Sequence, residues 1–135
     1  MHSQYFEIHE LVPQHIYEKY GERAWKFIDD RLILTLDTLK ETFSNGTMTI
    51  NNYKWGGNRK WSGLRTPISS WYSETSMHSF GKAADMVFSN YTADDVRAYI
   101  LKNLDLFPYI KGLELGVSWV HLDTRNEDSL QMFRA

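Results

Sequence analysis

Ser76-Met77-His78-Ser79-Phe80-Gly81-Lys82-Ala83-Ala84-Asp85 sets a histidine and a carboxylate seven positions apart, with a glycine and two alanines between them. Imidazole nitrogen and carboxylate oxygen are both good zinc ligands. Gly81 is free to adopt a positive φ and fold the chain back, which lets His78 and Asp85 reach one point from neighbouring stretches. Ala83 and Ala84 add little bulk, so that backbone can pack closely. Further along, Trp119-Val120-His121-Leu122-Asp123 supplies the additional histidine that a three-ligand zinc site requires. Read as a strand, it directs His121 and Asp123 to one face and Leu122 to the other.

The run from His78 to Asp85 resembles the His-x-x-Gly-x-Ala-x-Asp signature of the zinc D-Ala-D-Ala carboxypeptidases and their relatives. Those relatives include the L-alanyl-D-glutamate peptidases used as phage endolysins, and the hedgehog signalling domain. Trp119 to Asp123 is similar to the family's second ligand motif. Ser62-Gly63-Leu64-Arg65-Thr66-Pro67 is similar to its upstream Ser-Gly-Tyr-Arg-Ser/Thr-Pro. The three motifs stand in the family's order and cover about residues 47–125.

The resemblance implies that His78, Asp85 and His121 bind one Zn2+ and leave a fourth position for water. It also assigns Arg65 to the site, where a guanidinium holds a carboxylate or stabilises an oxyanion. Asp123, sharing a strand face with His121, is expected to orient that histidine. One position departs from the pattern. Many relatives carry a catalytic glutamate three residues before the last histidine, and here that residue is Ser118. Glu114 is the nearest upstream carboxylate and is taken as the general base. A hairpin loop of two or four residues would set it opposite Trp119, on the His121 face, whereas a three-residue loop would turn it away.

Outward from the motifs, the chain reads as α+β, with a small antiparallel sheet carrying the ligands and packed against helices. Pro13 opens a short helix running toward Tyr20. Apolar residues from Trp25 to Leu39 recur at helical spacing and predict one amphipathic helix over about 22–43, ended by Asn45-Gly46. Thr47 to Ile50 reads as a strand, as do Met77-His78 and Ala84 to Phe88 on either side of the glycine turn. Residues 51–75 form a long aromatic loop, with a short helix or a functional role expected. Thr92-Ala93-Asp94-Asp95 has capping-box spacing and starts a helix through Val96, Tyr99, Ile100 and Leu104. Leu113 to Leu115 and Trp119 to Asp123 predict a hairpin, and the polar tail from Asn126 is expected to be loosely held.

A chain of 135 residues fits one domain, with a helical part over about 1–46 and the motif-bearing part over about 47–125. A net charge of −2 with interspersed signs gives no basic face for nucleic acid. No apolar run approaches a membrane span, and no secretory signal pattern is present. Without cysteine, a metal must be held by His, Asp, Glu or water. The expected function is a monomeric zinc metallopeptidase cleaving peptidoglycan stem peptides beside a D-amino acid, as a carboxypeptidase or as an endopeptidase of the endolysin kind. Such a protein is made in the cytoplasm and reaches the cell wall after release, or as a phage component. The alternative is a metal-binding module without catalysis, serving recognition or structure, which the Ser118 substitution favours.

Overall fold

In β2 (Ala83–Phe88) alternate side chains part: Ala84 and Met86 are fully buried on one face, while Asp85 points to the other. This strand sits inside a five-stranded sheet with β1 (Met48–Thr49), β3 (Gly112–Leu115), β4 (Val120–Asp123) and β5 (Gln131–Arg134), in the order β1-β2-β4-β3-β5. Pairing is antiparallel except between β3 and β5, which run parallel. The computed structural model describes residues 1–134. Its helices are α1 (Gln14–Tyr20), α2 (Asp30–Thr42) and α3 (Ala93–Lys102), and the whole is an α+β fold.

One face of the sheet is apolar. Ala84, Met86, Leu113, Val120 and Leu122 join a single cluster with Leu32, Ile33, Leu36 and Leu39 of α2 and Val96 and Ile100 of α3. At its edge Phe43 meets the rings of Phe88, Tyr91 and Tyr99 edge-on, tying the end of α2 to β2 and α3. The other face carries Asp85, His121, Asp123 and Glu114. Among the described residues no helix is long and apolar enough to cross a membrane.

The helix predicted over 22–43 is interrupted. Gly21–Phe27 is a 3-10 segment, Ile28 and Asp29 are extended, and α2 starts only at Asp30. Tertiary contacts win over helical propensity here. The Asp29 N–H donates to the Gly81 carbonyl at 2.9 Å, and the Asp29 carboxylate accepts from Thr124 Oγ1 at 2.6 Å while capping the Arg31 N–H. The start of α2 is therefore bolted to the glycine turn and to the end of β4. Three further expectations are corrected. Met77–Phe80 is a 3-10 turn, not a strand. Leu104 lies beyond α3, in a separate 3-10 turn. The tail from Asn126 is held, because Gln131 to Arg134 pairs with β3. The capping box is present, with the Asp95 N–H on Thr92 Oγ1 at 3.0 Å and the Thr92 N–H on Asp95 Oδ2 at 3.1 Å.

Burial alone would raise the Asp29 carboxyl pKa, but the hydrogen bonds from Thr124 and Arg31 outweigh it and hold it below the usual value. A depressed pKa means stability that is complete above the unfolded carboxyl value of about 3.9 and lost as the pH falls through the folded one. Asp29→Ala should cost about 1–2 kcal/mol at pH 7 in urea denaturation. The gap between variant and parent should close as the pH is taken below about 4.

Candidate metal centre

Asp85 and His121 are direct partners across β2 and β4, so their side chains leave the same face side by side. His78 arrives from outside the sheet. Ser76 Oγ accepts from the His78 N–H at 3.2 Å and opens the 3-10 turn, and Gly81 closes it with φ of +69°. Only glycine fits there: a Cβ would lie 1.8 Å from the Phe27 carbonyl oxygen. The turn then feeds directly into β2.

Three donor atoms converge. His78 Nε2 lies 3.3 Å from Asp85 Oδ1 and 3.3 Å from His121 Nδ1, and His121 Nδ1 lies 2.8 Å from Asp85 Oδ1. Each residue's other polar atom is already engaged. His78 Nδ1 donates to the Gly63 carbonyl at 2.8 Å, and His121 Nε2 donates to Asp123 Oδ2 at 3.1 Å. Asp85 Oδ2 accepts from Arg65 Nη2 at 3.0 Å. With each imidazole neutral, as a bound ion would require, these bonds fix the tautomers and leave one lone-pair atom per residue aimed inward. Ligand atoms about 2.0–2.1 Å from a tetrahedral ion stand about 3.3–3.4 Å apart, so the triangle fits such an ion with little adjustment. His78, Asp85 and His121 thus form a group that could hold a metal ion.

The surroundings favour positive charge at this point. Burial opposes the charged form of Asp85, yet the hydrogen bonds from His121 and His78 hold its carboxyl well below the ordinary range. Burial likewise lowers His121, but Asp123 and Asp85 more than reverse this and raise it to about 9. Asp123 is fully buried, which alone would raise its pKa, but Arg125 and His121 draw it down to about 2.

Asp123 is braced by residues that the sequence did not reveal. Arg125 clamps it through two bonds, Nε to Oδ1 at 2.7 Å and Nη2 to Oδ2 at 2.8 Å. Across the strand pair stands Gly112, where a Cβ would come within 2.2 Å of the Asp123 carboxylate. Phe133 of β5 sets its ring edge-on to His121 at 5.6 Å, and the Arg125 guanidinium lies 4.8 Å from the centre of the Phe133 ring. The two-residue offset of Arg125 from Asp123 was the available signal for the clamp.

Glu114 is brought to the same face. The hairpin loop has four residues, 116–119, and continuing the register of β3 against β4 sets Glu114 level with His121, two residues along from the expected Trp119 and on the same face. On its other side Glu114 pairs with Phe133, so a row of side chains crosses the sheet from Asp85 through His121 and Glu114 to Phe133. Glu114 is 9% exposed and has no hydrogen-bond partner among the described residues. It lines a cavity of about 730 Å³ together with His78, Asp85, His121 and Arg65. Arg65 is held by Asp85 and by the Trp61 carbonyl, which accepts from its Nε at 2.7 Å, while its Nη1 has no partner among the described residues. Ser118 lies elsewhere, lining a separate cavity beside Arg97.

Comparisons with models of known protein families, with curated proteins and with solved structures find no match to this chain.

His78→Ala and His121→Ala should each abolish tight binding of a divalent ion, measured by calorimetry, since each removes one of three donors. Asp123→Asn should leave binding in place but weaken it by about ten- to a hundredfold.

Proposed function

We propose that this protein is a zinc-dependent peptidase that hydrolyses peptidoglycan stem peptides beside a D-amino acid. The observation that carries the reading is an uncommitted carboxylate, Glu114, facing the same cavity as three convergent metal-ligating atoms. His78 Nε2, Asp85 Oδ1 and His121 Nδ1 would hold the zinc ion. Zinc in such a setting supplies Lewis acidity, polarising a scissile carbonyl and making water a nucleophile near neutral pH.

The chain's own residues do the remaining work. Glu114 takes the proton released by the attacking water on a carboxylate oxygen and returns it to the leaving amine nitrogen. Arg65 keeps Asp85 oriented through Nη2 and presents Nη1 to the substrate, as a donor to the developing oxyanion or to a substrate carboxylate. Asp123, clamped by Arg125, holds the His121 ring in place. A cavity of about 730 Å³ has room for a short peptide segment. The motif resemblance supplies the substrate class, and with it a site of action at the bacterial wall.

A second reading, a metal-binding module without catalysis, is favoured by the engagement of Arg65 with Asp85. The experiment that separates them is digestion of purified peptidoglycan, with release of free D-alanine distinguishing a carboxypeptidase from the new peptide amino groups left by an endopeptidase. Activity should vanish with a chelator and return with added zinc. Glu114→Gln should retain the metal and lose about 10²- to 10⁴-fold in rate. A zinc-loaded protein that cleaves no wall peptide would leave the module reading in its place.

A further inference from the structure

The cavity around the metal ligands does not end at them. Arg65, Trp71 and Trp119 are shared with a second cavity of about 310 Å³, bounded by Trp61 and Lys60. Trp61 and Lys60 are shared in turn with a third, of about 340 Å³, reaching Ile68. The three cavities adjoin along these shared residues and follow one another away from the candidate metal centre, a series taken as one groove.

Its lining is unusual for a protein surface. Trp71 is 71% exposed and Trp119 37%, and Trp61 is only partly covered, tilted against the His15 ring at 5.9 Å. Single exposed aromatics need no explanation, but several along one groove that opens into a reactive cavity point to a ligand. The polar groups narrow its chemistry. Arg59 is spent on the protein itself, donating to the carbonyls of Ile50 at 2.7 Å and Asp85 at 3.2 Å. Arg65 is paired with Asp85. Lys60, exposed, has no partner among the described residues. A strongly acidic chain would call for several free cations along the groove, and only this lysine is fully uncommitted. Indole faces beside one ammonium suit a neutral, ring-bearing polymer, whose pyranose rings stack through their C–H faces while hydroxyl and acetamido oxygens accept from Lys60.

We infer that the groove running from Trp119 past Trp71 to Trp61 binds the N-acetylated amino-sugar strand of peptidoglycan, holding it while an attached peptide enters the metal cavity. This rests on the wall-peptidase reading for its choice of polymer.

The test is binding without hydrolysis. Glycan strands stripped of their stem peptides, with the lactyl carboxylates this exposes capped as methylamides so that the strand stays neutral, are titrated into the full chain, followed by tryptophan fluorescence and calorimetry. Saturable binding is expected, weakened about tenfold by Trp61→Ala and by Trp71→Ala, with circular dichroism confirming that each variant is folded. Trp71 is exposed enough that its loss leaves the core untouched. Three outcomes would overturn the inference: no saturable binding by the parent, unchanged affinity in both folded variants, or variants that lose free stem peptide while keeping the strands. A protein that binds strands but cleaves no wall peptide keeps the groove and loses the peptidase reading. One that cleaves but binds no strand does the reverse.

Discussion

Two ionisable side chains, Asp85 and His121, face each other across β2 and β4 in the interior of the sheet, and most of the surrounding architecture answers to that pairing. A buried carboxylate or imidazolium is costly unless each of its polar atoms finds a partner. Here the partners are supplied from separate parts of the chain. Arg65 comes from the aromatic loop, Asp123 from two residues along the same strand, Arg125 from just beyond it, and Gly63 offers a backbone carbonyl to His78. Removing any one would strand a charge or a hydrogen-bond donor in low dielectric, so the polar face is a cooperative network.

The apolar face makes that network possible by fixing the register. Ala84 with Leu122, and Leu122 with Leu113, lock three strands against the helices, and a slip of one residue would turn Asp85 and His121 into the core. The same register carries Glu114 to the polar side and Phe133 beyond it. Packing on one face thus dictates chemistry on the other.

This division explains what could be read in advance. Asp85, His121 and Asp123 were legible because strand periodicity is local, and His78 because Gly81, four residues before Asp85, marks a turn. The face of Glu114 followed from parity once the loop length was known. The unbroken helix over 22–43 was wrong because its break is made by hydrogen bonds to Gly81 and Thr124, residues far away in sequence. The tail was misjudged for a similar reason. Its pairing with β3 is parallel and non-local, and no turn signal announces such a strand. The Arg125 clamp was missed because its value depends on Asp123 being buried, a tertiary property. Met77–Phe80 is a 3-10 turn because a serine cap before it and a glycine stop after it enclose only four residues, too few for periodicity to register.

The two histidines are held by different kinds of partner, and this gives the site an asymmetric capacity for change. His78 leans on the Gly63 carbonyl, a main-chain atom at a position where only glycine fits, because a Cβ there would lie 2.2 Å from the Leu11 carbonyl oxygen. His121 leans on the Asp123 carboxylate, a side chain that a single base change in a codon can replace. One half of the centre is therefore written into the path of the chain and resists drift. The other half is adjustable, because a change at Asp123 or Arg125 alters the hold on His121 and leaves the loop around Gly63 untouched.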